Sequence, residues 1–373
     1  MTFLNYSQIW SICYFTPVCY GMLLTTLVLY LVPLTATQYN SLTTSYTQSN
    51  FKLISGHDVF YILFYTIVFF FILGQAWLSS SFSSWFGHLS ITGFQLKLAY
   101  LVWAMFCLSY YIESTNAYFS SRDSFDSAIT KISLVFWLSI IFLANSLITT
   151  IFVIEVMSAL LFLLITTSVY STTFYYRNVD FSSYNYFQNS MPYTFINSII
   201  YFFWTSLISS LNLFLFTIYL YTTFLSLDWY LIEHIYSYYI SVSASKDLFV
   251  VGIVWFIMIF SILLKCGIAP FFIWKPSFFK GLPMNTLFFY ITVFYFSLFL
   301  FFIHFLSSYM FYFTDTYSYI LFFVLLVGIL VLISILFESF YIKSFMAVSS
   351  ILNSLLVFLA LSSSHGESIL LFL

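Results

Sequence analysis

Charge is what this sequence has least of. Only 10 of its 373 residues are Lys or Arg and 12 are Asp or Glu, so 6% carry a charge, whereas a soluble domain is roughly a quarter charged. That scarcity excludes a chain that folds in water around its own core. The two signs nearly cancel, leaving a formal net charge of −2. No basic run is present to hold a nucleic-acid backbone or an anionic substrate, and no nucleic-acid partner is expected. Cysteine is sparse as well. Cys13, Cys19, Cys107 and Cys266 fall in apolar stretches, with no C-x-x-C pair and no His at ligand spacing, which argues against disulfide, zinc and iron–sulfur roles. The first residues lack an Arg-rich amphipathic segment, and the first apolar run, Ile9 to Val32, is too long for a signal-peptide core. It reads as a retained first span.

What is present is apolar and aromatic: 62% hydrophobic residues, 51 Phe and 32 Tyr against 10 Gly and 6 Pro. Residues with AT-rich codons dominate, which points to an AT-biased genome, organellar by preference. Windows at 9–33, 59–79, 93–112, 129–145, 147–170, 196–222, 247–274, 284–306, 317–337 and 344–363 are long enough, or nearly so, to cross about 30 Å of hydrocarbon. Within lipid every backbone polar group needs an internal partner, so long spans without alternating polarity are helices rather than barrel strands. The expected fold is therefore an all-α, multi-pass bundle of ten transmembrane helices, with the bilayer as its partner. Ser/Thr/Asn/Tyr-rich stretches read as loops: Thr35 to Asn50, Ser79 to Ser90, Glu113 to Ser127, Ser171 to Pro192 and Ser226 to Lys246. Inside the last of these, Leu227 to Ile240 suits an interfacial amphipathic helix. Basic residues are too few for the positive-inside rule to orient the chain.

With so few charges, those deep in a span carry information, because an ionised group at the bilayer centre costs about 3 kcal/mol or more unless paired or hydrated. Three stand out: Glu155 in the fifth window, Lys265 in the seventh, and Lys97 near the start of the third. Lys97 reads as an interface residue whose stem snorkels to the headgroups. Glu155 and Lys265 have no such escape. Brought together, a carboxylate and an ammonium titrate as a coupled pair, which suits proton transfer; a static ion pair that fixes helix packing is the alternative. Gly267 and Pro270 directly follow Lys265. Proline removes a backbone donor and opens the helix, and transporters place broken helices at mid-membrane ion sites; a simple kink is the plainer reading.

The string Lys265-Cys-Gly-Ile-Ala-Pro-Phe-Phe-Ile-Trp-Lys-Pro, continuing to Lys280-Gly-Leu-Pro283, resembles the K-x-G-x-x-P-F-H-x-W-x-P…x-G-x-P signature of the antiporter-like membrane-arm subunits of respiratory complex I (NADH:ubiquinone oxidoreductase). Lys265, Gly267, Pro270, Phe271, Trp274, Pro276, Gly281 and Pro283 match in register, while Phe272 stands where the family usually has His. Asn145 to Ser158, around Glu155, resembles the span with the family's key glutamate, and Lys343 to Asn353 resembles the L-K-R-x-L-A-Y-S-S-I segment. Motif order and span count favour the subunit 2 branch.

The resemblance implies that Glu155 and Lys265 form the proton-input pair of a half-channel, with no cofactor or redox centre bound by this chain. It implies other membrane-arm subunits as partners and the mitochondrial inner membrane as location. It also implies a division into accessory helices (1–128), a first five-helix repeat (129–306) and the start of a second, inverted repeat (307–373). The family's second lysine falls in register on Tyr295 here, with His304 the other candidate relay in that helix. The apolar run Ile369 to Leu373 opens a span it does not finish, so a separate chain supplying the remaining helices is expected. A stand-alone cation/proton antiporter subunit, or a structural subunit that has lost pumping, are the competing readings.

Overall fold

A computed structural model of the protein describes residues 82–84, 87–115, 121–177, 192–242, 245–336 and 342–362. The windows at 9–33 and 59–79, the loop Thr35 to Asn50, Cys13, Cys19 and the run Ile369 to Leu373 lie outside these residues. The described chain is helical almost throughout. In order, it comprises strands β1 (Phe82–Ser84) and β2 (Leu89–Ile91), then helices α1 (Gly93–Thr115), α2 (Ser121–Leu143), α3 (Leu147–Arg177), α4 (Pro192–Phe224), α5 (Trp229–Val242), α6 (Ser245–Cys266) and α7 (Trp274–Gly281). Next comes a composite helix: α8 (Met284–Phe289), a π-helical stretch (Tyr290–Tyr295), α9 (Phe296–His304) and a second π stretch (Phe305–Tyr309). The short α10 (Phe311–Thr316), α11 (Ser318–Leu336) and α12 (Ile342–Ser362) follow.

Among the described residues, six helical segments are long and apolar enough to cross a membrane: Leu147–Thr166, Phe195–Phe224, Phe249–Cys266, Thr286–Tyr309, Ser318–Leu336 and Ile342–Ser362. The protein is thus a multi-pass membrane protein, its described residues almost all helical apart from the short β1–β2 pair. The apolar parts of α1 and α2, Lys97–Ile112 and Thr130–Leu143, are shorter, at 10–17 residues. Many serines and threonines inside these helices do not interrupt them, because the hydroxyl returns to a carbonyl one turn back. Examples are Ser139 Oγ to Phe136 O at 2.6 Å, Thr150 Oγ1 to Leu147 O at 2.7 Å and Ser261 Oγ to Met258 O at 2.6 Å.

Several loop boundaries differ from the sequence expectation. The stretch Ser79 to Ser90 contains β1, which pairs antiparallel with β2. Residues 113–115, 121–127 and 171–177 are helical. Polarity marks where a helix leaves an apolar environment, not where its backbone hydrogen bonds stop, so the composition signal cut these helices short. Pro192 sits in the first turn of α4, where its missing N–H costs nothing. Thr92 and Gln95 close a reciprocal capping box at the start of α1: the Gln95 N–H donates to Thr92 Oγ1 at 3.4 Å and the Thr92 N–H to Gln95 Oε1 at 3.2 Å.

The chain divides into two compact units. One comprises Met1–Ala144, Val156–Val179 and Phe288–Phe294, the other Asn145–Glu155, Asp180–Leu287 and Tyr295–Leu373. In the first, α1 packs on α2, with Phe106 edge-on to Phe289 at 6.1 Å and Lys131, almost fully buried, holding its ammonium 5.3 Å from the Phe289 ring centre. In the second, α4 packs on α6 and α7, α12 on α11 and α7, and α5 on α10. Helix α5 buries Trp229, Ile232 and Tyr236 along one helical stripe. The Trp229 ring lies 4.5 Å from that of Phe305, and Tyr236 stacks flat on Phe313 at 3.5 Å.

Candidate functional site

The second unit contains the break in the helical run that carries Lys265. Helix α6 ends at Cys266, and the chain passes through Gly267, at φ +61°, and a cis Ala269–Pro270 bond before helix resumes at Trp274. The ending is a Schellman motif. The N–H of Ile268 donates to Leu263 O at 2.9 Å and that of Gly267 to Leu264 O at 3.2 Å, the paired bonds that close a helix on a left-handed residue. Side chains from the far side of the break reach back to the same helix end. Trp274 Nε1 donates to Leu264 O at 3.0 Å, and Lys275 Nζ reaches Cys266 O at 3.4 Å. The Trp of the sequence motif therefore has a local task, which is to tie the second half-helix back to the end of the first.

Lys265 lies in the last turn of α6. Its Nζ donates to Glu155 Oε1, on α3, at 3.2 Å. The ammonium side chain is 8% exposed and the carboxylate 32%, so the pair has a closed end and an open end. The contact joins two helices through an ion pair, so neither charge stands alone in the apolar interior. The two residues singled out from sequence, 110 positions apart, are in direct contact.

The other sequence candidates are distributed as follows. Gly267 forms the turn, and a Cβ there would lie 3.0 Å from Lys275 Cδ and 3.1 Å from Trp274 Cζ2. Pro270 lies in the connecting segment. Tyr295, at the end of the first π stretch, is buried, with its ring nearly parallel to Phe299 at 6.0 Å. His304 lies one residue short of the second π stretch, where Nδ1 is 3.1 Å from Ser308 Oγ and the ring sits edge-on to Tyr309. At 1.5 Å per residue it stands ~13 Å along α9 from Tyr295, away from the break. Lys97 is exposed near the start of α1.

Sequence reasoning passed over Lys275. It occupies a variable position of the matched motif, yet its side chain is fully buried and its Nζ lies 3.6 Å from the centre of the Tyr295 ring. Its place among aromatic residues, in a chain with 10 basic residues in all, is the signal that marks it. Lys343 takes a structural part instead, its Nζ capping Leu282 O at 2.7 Å at the end of α7.

A scan against protein-family models finds no match to this chain, and neither does a comparison with curated proteins.

Proposed function

We propose that this chain is an antiporter-like, proton-translocating subunit of a membrane arm of the respiratory complex I type, seated in the mitochondrial inner membrane. On this reading it belongs to the subunit 2 branch, with about ten membrane helices, a first five-helix repeat and the start of a second, inverted one. The observation that carries the reading is the Glu155–Lys265 contact at 3.2 Å against the end of a broken helix. A buried lysine paired with a half-open carboxylate accepts a proton from one side, and its own charge depends on whether that carboxylate is ionised. Placing the pair at a helix end whose carbonyls are met by Trp274 and Lys275 side chains supplies polar groups within an otherwise apolar wall. The motif around Lys265 supplies the family, and the contact supplies the chemistry. The chain itself binds no redox group on this reading. Its partners are the other membrane-arm subunits, which couple NADH oxidation and quinone reduction elsewhere in the assembly to proton movement here.

The test is proton translocation per NADH oxidised by the purified assembly in vesicles. Lys265→Ala and Glu155→Gln lower the ratio while the assembly still forms. Lys265→Arg lowers it too, since a guanidinium does not release its proton in the working range. A wild-type ratio in all three variants overturns the reading in favour of a static packing pair. Sodium-dependent flux through the isolated chain favours the stand-alone antiporter.

A further inference from the structure

The fully buried Lys275 stands across the break from the Glu155–Lys265 pair. Among the described residues no carboxylate lies within salt-bridge distance of it, in contrast to Lys265. Its polar contact is a long one, 3.4 Å to the carbonyl of Cys266, the residue directly after Lys265. What its charge meets at closer range is the Tyr295 ring, 3.6 Å from Nζ to the ring centre, with the Phe279 ring farther off at 6.0 Å. A ring face attracts an ammonium without neutralising it. Burial without a counter-charge favours the neutral amine. The two influences oppose each other, which is the condition for a lysine that loads and unloads a proton rather than holding one permanently.

We infer that Lys275 is the proton acceptor after Lys265 in this half-channel, and that Tyr295 is its positioning residue. The inference rests on the proton-translocating reading given above. In the step, the Lys265 ammonium gives up one proton and the neutral Lys275 amine takes it, leaving Lys265 neutral and Lys275 charged over the tyrosine ring. The two lysines share one positive charge throughout, so the apolar surroundings never hold two. Tyr295 takes no proton in this step. Its ring face is the useful part.

The experiment measures protons moved per NADH oxidised, as a function of pH, by the purified assembly reconstituted in vesicles. Lys275→Arg keeps the charge and the ring contact but not the ability to deprotonate, and is expected to lower the ratio as far as Glu155→Gln does. Lys275→Met is expected to do the same, and adding Tyr295→Lys to it returns an amine to the same space and restores translocation. Tyr295→Leu removes the ring and shifts the pH profile of translocation to lower pH, a change that a packing role does not produce. A wild-type ratio in Lys275→Arg beside a lowered one in Glu155→Gln overturns this inference alone. Wild-type ratios in both overturn the proton-translocating reading with it. Where Lys275→Arg or Lys275→Met fails to assemble, the Tyr295→Leu profile decides, and an unshifted profile counts against the inference.

Discussion

Two residues show how much local conformation hangs on single side chains. Gly267 holds φ +61°, a region in which a Cβ crowds the following carbonyl by roughly 1–2 kcal/mol, and here that Cβ would also press on Lys275 and Trp274. Gly267→Ala is expected to destabilise the chain by at least that amount, and Gly267→Val, β-branched and bulkier in the same space, by more. The thermal midpoint of the detergent-solubilised assembly reports the order. Glu233, on α5, titrates above its ordinary value of 4.5. Burial is the largest cause, outweighing hydrogen bonds from the Tyr312 and Phe311 backbone and the nearby His234. The folded state therefore binds the proton more tightly than the unfolded one, so its contribution is fully present below pH 4.5 and is lost as pH rises through the raised folded value. Glu233→Gln is expected to leave stability unchanged at low pH and to raise it relative to the native chain above that window. Melting curves across pH check this, and a gain that does not grow with pH refutes it.

At the scale of elements, the break between α6 and α7 is held from both sides. Trp274 and Lys275 bond back to α6, Lys343 of α12 caps the end of α7, and Gly328 of α11 lets another helix approach the connecting segment closely. A Cβ at Gly328 would lie 2.8 Å from the Ala269 carbonyl carbon and 2.9 Å from its oxygen. Backbone cannot swing aside as a flexible side chain can, so α11 has to move. Gly328→Ala is expected to cost roughly 1–3 kcal/mol, the usual penalty of overpacking. A lowered midpoint of thermal unfolding together with faster proteolysis between α6 and α7 is the expected result. An unchanged midpoint means that α11 does not clamp the break. The two π stretches widen the composite helix on either side of α9. Such turns often mark functional positions, and Tyr295 closes the first of them.

For the whole molecule, the six helices long and apolar enough to span among the described residues and a surface with many exposed large apolar side chains require lipid or protein around them. The chain is expected to stay in the membrane pellet after alkaline carbonate washing and to leave it only with detergent; recovery in the carbonate supernatant refutes the spanning assignment. This much was legible in the sequence. Hydrocarbon thickness fixes how long an apolar run has to be, and lipid permits no unpaired backbone, so composition and run length alone determined a helical membrane protein and placed eight of its helices among the described residues. Rarity of charge likewise made Glu155 and Lys265 visible, and the Gly–Pro spacing made the break visible. The sequence did not determine which charges meet. Contact between residues 110 positions apart depends on how α3 lies against α6, and one-dimensional spacing carries no record of that packing. Lys275 was hidden for the same reason: its ammonium lies 3.6 Å from the centre of the Tyr295 ring, on a separate helix, and packing between helices brings together side chains that no helical periodicity pairs.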